Sequence, residues 1–358
     1  MSEEFPFDPV EVSRRLLAWY GNEGRDLPWR QTRDPYRIWL SEIMLQQTTV
    51  AAVIPYYERF LLQFPTLPAL ASASLDEVIT LWAGLGYYSR ARNLHRTAQQ
   101  LVAEQDGAFP ESIVALAALP GIGRSTAGAI LAIAFDKPAP ILDGNVRRVL
   151  VRLFAWMDDP RSARAEKQLW AWAEALTPEG RPHDYTQAIM DLGAMVCTPR
   201  APDCDDCPVQ KICQAFQKGL TADLPVVRKK PKIPVRQQVG LIVCSPDGFL
   251  LRQRPPEGLL GGLWEFPTLD LPAGLTAEQA GARLLSDLSL RGSLKKSGEI
   301  RHAYSHFKLE LSLFKVDVGS AEKVAESSEY RFCSSTELEH LPLHGAHRKA
   351  YNQLSNDH

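Results

Sequence analysis

The sequence has no long hydrophobic run. Its longest stretch without a polar side chain, residues 113–123, is too short to cross a bilayer, which needs about 20 apolar residues. The first residues also lack the basic and apolar regions of a secretory signal. We therefore expect a cytoplasmic protein with no membrane partner, in which disulfides are disfavoured.

An excess of charge of one sign is missing as well. The 358 residues carry 40 Lys and Arg against 42 Asp and Glu, so the net charge is −2. This balance excludes a uniformly basic protein that coats nucleic acid, and 45% apolar residues exclude global disorder. The length exceeds what one hydrophobic core usually serves, which predicts two domains.

The basic residues that are present concentrate in one short segment. Residues 221–236 carry an excess of four positive charges, whereas residues 1–220 and 237–358 are both acidic. Prolines among the basic residues favour an extended connector, which either solubilises the chain or contacts phosphates. We place the domain boundary there, between domains at 1–220 and 237–358.

Hydrophobic spacing differs between the two predicted domains. Before the connector, apolar residues recur at helical intervals, with helices predicted at 39–54, 75–82, 113–119, 124–135 and 146–156. After it, residues 239–243 and 249–252 flank a turn signal, and residues 307–313 alternate apolar with polar as in a half-buried strand. The sequence thus predicts an all-α domain followed by an α+β domain.

Cysteines are few, and four of the six lie within 17 residues. Such thiols would repel one another as thiolates unless a cation held them, and their spacing leaves zinc and an iron–sulfur cluster both open. We expect a structural metal site at Cys197, Cys204, Cys207 and Cys213. The other two, Cys244 and Cys333, are expected to be small buried residues on strands.

Two carboxylates and a glycine-rich turn are candidates for chemistry. Glu42 precedes an apolar pair on a predicted helix; it either faces solvent or, if buried, has a raised pKa suited to general acid catalysis. Asp143 lies where a helix N-cap is expected. Gly121 and Gly123 allow a turn whose N–H groups point at a phosphate, although a plain helix–turn–helix connection has the same pattern.

Several separate blocks together resemble a known superfamily. Residues 41–48, 119–128 and 142–146, with the cysteine array, are similar to the helix-hairpin-helix base excision glycosylases that carry an iron–sulfur cluster. Segments 27–30, 84–94 and 187–198 resemble its MutY branch of adenine DNA glycosylases. The resemblance implies an all-α glycosylase domain in which the array holds one 4Fe-4S cluster in place of zinc.

The resemblance also implies roles in the reaction. Glu42 would protonate N7 of adenine, and Asp143 would stabilise the oxocarbenium sugar electrostatically or through a transient covalent bond, with Asn145 orienting Asp143 and water. Ser125 would line the same pocket. The endonuclease III branch has there a lysine that attacks the sugar, so we expect hydrolysis of the base without efficient strand cleavage.

Recognition of the duplex is implied at further positions. The adenine must be flipped out of the helix, and the residues expected around it are Trp29, Arg30, Leu45 and Gln187. Gln47 and Tyr87 would wedge into the base stack beside the partner base, and the hairpin Gly121 and Gly123 would contact phosphates.

Residues 237–358 resemble a MutT-like, Nudix-type domain. The hydrolase version needs a glutamate-rich run to hold magnesium, but residues 283–287 here read Arg-Leu-Leu-Ser-Asp, so nucleotide hydrolysis is not expected. Tyr304, Ser305 and His306 take the place of a Phe-Ser-His loop that reads 8-oxoguanine opposite the adenine; on residue type alone the latter two would be a polar strand start.

The sequence therefore predicts a monofunctional glycosylase that removes adenine paired with 8-oxoguanine or guanine in double-stranded DNA. The alternatives are a glycosylase for another mispair, such as thymine opposite guanine, and a non-catalytic iron–sulfur DNA-binding protein, which would not need both Glu42 and Asp143. A monomer associated with the nucleoid is expected, with an abasic-site endonuclease as possible recipient of its product.

Overall fold

A computed structural model describes residues 5–226, 233–255, 258–304, 306–319 and 329–356. The chain divides into two units, one formed by Met1–Ala73 and Asn93–Lys229 and the other by Ser74–Arg92 and Lys230–His358. The boundary between residues 229 and 230 falls inside the predicted connector 221–236, of which residues 227–232 lie outside the described part. The assignment of Ser74–Arg92 to the second unit has no counterpart in the sequence-based boundaries.

The chain before the connector is helical, as the apolar spacing predicts. Short 3-10 turns lie at Pro28–Arg30 and Gln210–Ile212, and Leu192–Val196 is a π-helical turn. The α-helices are α1 (Pro9–Glu23), α2 (Pro35–Leu45), α3 (Val50–Gln63), α4 (Leu67–Ser72), α5 (Leu75–Trp82), α6 (Ser89–Gln105), α7 (Ile113–Ala117), α8 (Arg124–Phe135), α9 (Gly144–Leu153), α10 (Ala163–Leu176), α11 (Pro182–Asp191) and α12 (Gln214–Gln217).

The sequence-based helices at 75–82 and 124–135 agree with α5 and α8, but the single helix predicted at 39–54 is wrong. It is two helices, α2 and α3, separated by a turn at residues 46–49 in which Gln47 adopts a left-handed φ of 59°. The polar side chains of that turn therefore do not continue the surface of α2. Apolar spacing missed the break because both helices keep similar apolar intervals across it.

The core of the first unit is built around α9. Its residues Val146, Val149, Leu150 and Leu153 recur at helical spacing and are all buried, together with residues of α1, α8, α10 and α11. Burial of this face orients the N-terminus of α9, where the Asp143 side chain accepts a hydrogen bond from the Val146 N–H at 2.8 Å. The predicted N-cap at Asp143 is confirmed, and α9 ends at Leu153 instead of residue 156.

The second unit contains a mixed sheet with helices on both faces. Its elements are β1 (Val235–Ser245), β2 (Gly248–Gln253), β3 (Trp264–Glu265), β4 (Thr268–Asp270), α13 (Ala277–Asp287), β5 (Lys295–Ala303), β6 (Lys308–Asp317), β7 (Tyr330–Cys333), α14 (Ser335–His340) and α15 (Gly345–Asn356). In the described part, β1 pairs in parallel with β6 and antiparallel with β2 and β4, while β3 and β7 pair with β2, and β5 with β6.

Alternation along β1 separates the two cores of this unit. Val239, Leu241 and Val243 pack with α13, whereas Ile242 points to the opposite face, which α15 covers. The α+β prediction is confirmed. Cys244 and Cys333 lie on β1 and β7 as expected, but only Cys333 is buried, so the predicted burial of Cys244 is wrong. None of the helices in the described ranges has the length and apolarity that a membrane crossing would require.

Candidate active site

One pocket of the first unit collects the residues predicted for chemistry and for base binding. Its volume is about 690 Å³, within the range of about 300–1,000 Å³ typical of small-molecule sites. The sequence-predicted residues that line it are Trp29, Arg30, Glu42, Leu45, Gln47, Ser125, Asp143, Asn145 and Gln187. Residues from α2, α8, α9 and α11 thus converge although they are far apart in the chain.

Glu42 lies on α2 between the buried side chains of Ser41 and Ile43. Burial of its carboxyl group, and then the negative charge of Asp143, raise the pKa of Glu42 to about 7, while the nearby Arg30 opposes this shift. An acid with this pKa is protonated in a large fraction of molecules near neutral pH and can donate its proton. Glu42 is half-buried and lines the pocket, so it does not lie on a fully solvated helix face.

Asp143 holds its carboxylate at the N-terminus of α9. Burial raises the pKa of Asp143, and hydrogen bonds from the backbone N–H groups of Val146 and Asn145 counteract this rise. Backbone donors and the helix terminus favour the ionised form. Glu42 as the protonated partner and Asp143 as the carboxylate are consequently the favoured arrangement of the pair.

Neighbouring side chains position the segment that carries Asp143. The Ser125 hydroxyl on α8 accepts a hydrogen bond from the Leu142 N–H at 3.0 Å, next to Asp143 in the chain. Asn145 Oδ1 accepts from Arg148 at 2.8 Å, and Arg148 also donates to the Gly193 carbonyl. A Cβ atom on Gly193 would lie 2.7 Å from Cβ of Asn145, so only glycine permits this approach.

Two of the predicted base-binding residues are held by partners of their own. Trp29 packs edge-on against Tyr57, with 5.3 Å between the ring centroids. Arg30 donates two hydrogen bonds, of 2.6 and 2.7 Å, to the two carboxylate oxygens of Asp191. Its guanidinium group is thus oriented by a buried ion pair and not by solvent.

Sequence reasoning missed Asp191 and its second partner, Arg25. Asp191 is fully buried, and Arg25 donates to it from Nε at 2.7 Å and from its backbone N–H at 3.1 Å. These bonds keep the pKa of Asp191 below its usual value although burial opposes that shift. Asp191 follows Gln187 by one helical turn, a spacing that could have indicated it.

Gln187 presents an unpaired polar atom inside the first unit. Its Nε2 donates to the His183 carbonyl at 3.3 Å, while its buried Oε1 has no hydrogen-bond partner among the described residues. Because Gln187 also lines the pocket, its carbonyl oxygen can accept a hydrogen bond from a bound ligand. The exocyclic amine of adenine is a donor of that kind.

The hairpin between α7 and α8 contains the predicted glycine turn at the N-terminus of a helix. Gly121 has a φ of 77°, and a Cβ atom there would lie 2.9 Å from Cβ of Asn93. Gly123 is the N-cap of α8 and makes no side-chain hydrogen bond to the first turn, so no side chain of this residue caps the N–H groups there.

The residues predicted to wedge into DNA have left-handed backbones, with φ of 59° at Gln47 and 49° at Tyr87. Tyr87 belongs to the second unit and is not among the pocket residues.

The four clustered cysteines line one separate pocket of the first unit. Tetrahedral zinc at 2.3 Å from each sulfur would hold the sulfurs about 3.8 Å apart. Among the described residues, one group has three possible metal-ligand atoms within 4.8 Å of one another, and it consists of Glu265, His344 and His347. The cysteine sulfurs do not form such a group, so they are not arranged as tetrahedral zinc would require. Burial raises the pKa of the Cys207 thiol to about 12, so a thiolate there needs a cationic partner.

Arg152 ties the cysteine loop to α9. It is 2% exposed and donates to the carbonyls of Thr198 at 2.7 Å and Leu224 at 2.8 Å, and to Sγ of Cys197 at 3.4 Å. Arg148, one turn earlier, donates to the Cys197 carbonyl at 2.7 Å. The same helix therefore carries Asp143 at its start and fixes the cysteine loop along its length, which the spacing of these arginines could have suggested.

In the second unit, Tyr304 is half-buried and His306 exposed, while Ser305 lies outside the described residues. The Tyr304 ring stacks on Phe307, with centroids 4.8 Å apart. Residues 283–287 on α13 replace the segment that supplies the magnesium ligands in hydrolases. The charged residues of this segment are Arg283 and Asp287, an exposed ion pair with 3.9 Å between Nε and Oδ2. It offers no glutamates for a cation.

Two protein-family models match the chain. The model of the HhH-GPD superfamily base excision DNA repair proteins matches residues 40–175, and that of the NUDIX domain matches residues 238–353. The fold and the pocket with its two carboxylates thus define a base excision DNA glycosylase with a Nudix-type C-terminal domain.

Similar proteins narrow the class further. The adenine DNA glycosylase of Rattus norvegicus is 41% identical over 86% of this chain and 70% of that protein. The adenine DNA glycosylase of Schizosaccharomyces pombe is 33% identical over 93% of this chain and 85% of that protein. A solved thermostable thymine-DNA glycosylase is 31% identical with a TM-score of 0.54, over 59% of this chain and 97% of that one. The chain belongs to the adenine DNA glycosylase family.

Proposed function

We propose that the protein removes adenine mispaired with 8-oxoguanine or guanine in duplex DNA by hydrolysis of the N-glycosidic bond. The observation that carries this proposal is the pairing of Glu42, with a pKa of about 7, and Asp143 in one pocket. A protein that only binds DNA has no need for two carboxyl groups in one pocket, the charge of one of which raises the pKa of the other. Their opposite protonation states suit departure of a base from a sugar that becomes positively charged.

The chemistry follows from the two environments. Glu42 donates a proton to N7 of the flipped adenine, which makes the base a better leaving group, and the Asp143 carboxylate stabilises the oxocarbenium sugar. Asn145 and Ser125 position Asp143 and the attacking water. Because Ser125 has no amine, the sugar forms no Schiff base at this position, and the strand remains intact.

Adenine is favoured over thymine as the base that enters the pocket. The unpaired Oε1 of Gln187 is an acceptor, which complements the amine of adenine, and Trp29, Arg30 and Leu45 supply the remaining surface. The opposite 8-oxoguanine is assigned to Tyr304, Ser305 and His306 in the Nudix-type domain. The solved thymine-DNA glycosylase matches only 59% of this chain, whereas adenine DNA glycosylases match most of it.

The cysteine pocket is proposed to hold one 4Fe-4S cluster through Cys197, Cys204, Cys207 and Cys213. The wide spacing of their sulfurs fits a cluster better than a single ion. When bound, the cluster supplies a structural cross-link of the loop that Arg152 and Arg148 hold against α9. We propose further that the protein acts as a monomer inside the cell and passes its abasic product to an endonuclease.

The duplex assay tests the proposed function directly. Purified protein incubated with a duplex that contains one adenine opposite 8-oxoguanine should produce alkali-labile sites at the adenine, and borohydride should trap little covalent adduct. Glu42→Gln should abolish these sites, whereas Glu58→Gln, an exposed glutamate of α3, should not. Cleavage that persists in Glu42→Gln, or activity on thymine opposite guanine in place of adenine, would refute the proposal.

The cofactor has its own test. Cys204→Ser should remove the visible absorption and most of the iron, whereas Cys244→Ser, which lies on β1, should leave both unchanged. Arg152→Ala should lower the iron content because the loop loses several hydrogen bonds, and Arg147→Ala, on the same helix but bonded to Glu166 and Pro160, should not. Zinc in place of iron would contradict the cluster.

A further inference from the structure

Beside Tyr304, the second unit contains a buried polar cluster that the proposed chemistry does not use. Glu265 is 2% exposed, His344 3% and His347 0%, and their ligand atoms lie within 4.8 Å of one another. Burial of such polar groups destabilises the fold unless they form hydrogen bonds, so the hydrogen bonds of these three residues indicate what the cluster does.

The direction of each hydrogen bond can be assigned from the Glu265 carboxylate, which only accepts when it is ionised. His344 therefore carries its proton on Nε2 and donates to Glu265 Oε2 at 3.1 Å. Burial lowers the pKa of His344 and favours the neutral ring, so Nδ1 accepts from the Tyr304 hydroxyl at 2.7 Å, while the Tyr304 oxygen accepts from the Ala346 N–H at 3.3 Å. Glu265 Oε2 also accepts from Arg254 at 2.8 Å. The result is a continuous relay from Tyr304 through His344 and Glu265 to Arg254.

A metal ion is the competing interpretation of the cluster, and the hydrogen bonds oppose it. His347 Nδ1 accepts from the Phe266 N–H at 2.9 Å, which leaves the proton on Nε2 and removes the lone pair that a metal needs there. Arg254 already supplies a positive charge to the Glu265 carboxylate. Among the described residues, Glu265 Oε1 and His347 Nε2 have no hydrogen-bond partner; the first is an acceptor and the second carries a proton.

The hydrogen bond to His344 restricts the hydroxyl end of the Tyr304 side chain. The face of the Tyr304 ring stacks on Phe307, with an angle of 27° between the ring planes. A ring held by stacking and by its hydroxyl cannot swing outward as a wedge without breaking the bond to His344. The phenylalanine that the resembling family has at this position has no hydroxyl and could not be held in this way.

We propose that Glu265 and His344 are positioning residues that hold the Tyr304 ring as a fixed platform for recognition of the base opposite the adenine. The inference rests on the proposed function, because Tyr304 begins the segment assigned to 8-oxoguanine. Loss of one neutral hydrogen bond should reduce the preference for 8-oxoguanine over guanine by about threefold to tenfold.

The test uses the full-length protein and a double-mutant cycle. Single-turnover rates on duplexes with adenine opposite 8-oxoguanine and opposite guanine are compared for wild type, Tyr304→Phe, His344→Leu and the double variant. We expect each single variant to lower the ratio of the two rates, and the double variant to lower it no further, because both changes remove the same bond. Tyr351→Phe, which removes a hydroxyl bonded to the Ser335 carbonyl of the same unit, should leave the ratio unchanged.

Three results would overturn the relay. Losses that multiply in the double variant would show that the two side chains act independently. An equal loss on both duplexes, accompanied by a lower melting temperature, would reduce His344 to a structural role. A stoichiometric metal other than iron that disappears in Glu265→Gln would replace the relay with a metal site. If wild type removes adenine from neither duplex, the proposed function itself fails, whereas equal rates on the two duplexes would refute only the recognition platform, so the same data distinguish the two failures.

Discussion

The carboxyl groups of Glu42 and Asp143 line the same pocket, and the charge of Asp143 adds to burial in raising the pKa of Glu42 to about 7. Two acids that interact in this way titrate as a pair, and the form with one proton is favoured near neutral pH. The proton resides on Glu42, since backbone N–H groups and the start of α9 stabilise the charge on Asp143.

The rate of adenine release should follow the protonation of Glu42. Because the acid must carry its proton, the single-turnover rate should be highest below pH 7 and fall about tenfold per unit well above it, as Glu42 ionises. At low pH, protonation of Asp143 should reduce the rate again. Rates measured from pH 4.5 to 9 check this, and a flat profile between pH 6 and 9 would contradict the acid role of Glu42.

The same pKa has a consequence for stability. In the unfolded chain Glu42 ionises near its ordinary pKa of 4.5, whereas in the folded protein it does so near 7, so folding loses stability as pH rises between these values. Glu42→Gln should therefore be more stable than wild type by about 2 kcal/mol at pH 8, and close to it at pH 4.5. Urea unfolding at both pH values measures the difference, with Glu58→Gln as the exposed control.

The two hairpin glycines should respond differently to alanine. Gly121→Ala forces a left-handed residue to carry a Cβ atom that meets Asn93 at 2.9 Å, so we expect a loss of stability of about 2 kcal/mol and weaker DNA binding. Gly123 has φ of −87° and open space at its Cβ position, so Gly123→Ala should fold normally. Weaker DNA binding by Gly123→Ala at unchanged stability would locate the phosphate there, and unchanged binding would refute that contact.

Ser125→Ala should lower both stability and rate. The change leaves the Leu142 N–H without its acceptor at 3.0 Å, which costs about 1 kcal/mol and loosens the segment that holds Asp143. Ser112→Ala removes the cap of α7, with a similar cost in stability and no effect on the rate, because Ser112 does not line the pocket. Urea denaturation measures the loss of stability, and single-turnover rates measure the effect on the reaction. Equal rates for Ser125→Ala and Ser112→Ala would contradict the positioning role of Ser125.

Asp191→Asn should be severely destabilising. Asp191 is fully buried and binds both Arg25 and Arg30, and removing the charge leaves these cations uncompensated, at a cost of about 3 kcal/mol. Since the pKa of Asp191 is lowered in the folded protein, its contribution is present above the ordinary pKa of 3.8 and is lost as pH falls through the lowered value. Asp184→Asn, whose partner Arg181 is exposed, should lower the free energy of unfolding by less than about 1 kcal/mol. Urea unfolding of both variants and of wild type measures these losses.

Features encoded within a few residues were open to sequence reasoning. The cap at Asp143, the turn through Gly121 and Gly123, and the strand alternation in β6 depend on local spacing and on backbone preference. The break at Gln47 was not visible, because a glutamine in a left-handed turn leaves no mark on apolar spacing. The cysteine array was recognisable from its density alone.

The sequence by itself determined a helical region followed by an α+β region, individual helices such as α5 and α8, and the residue types of the site. Only the tertiary structure decided which of these residues meet: Glu42 with Asp143, Arg30 with Asp191, and Tyr304 with His344, which is 40 residues away. The physical reason is that local elements form by interactions between near neighbours in the chain. Desolvation, pKa shifts and the directions of hydrogen bonds arise only when packing brings distant groups together.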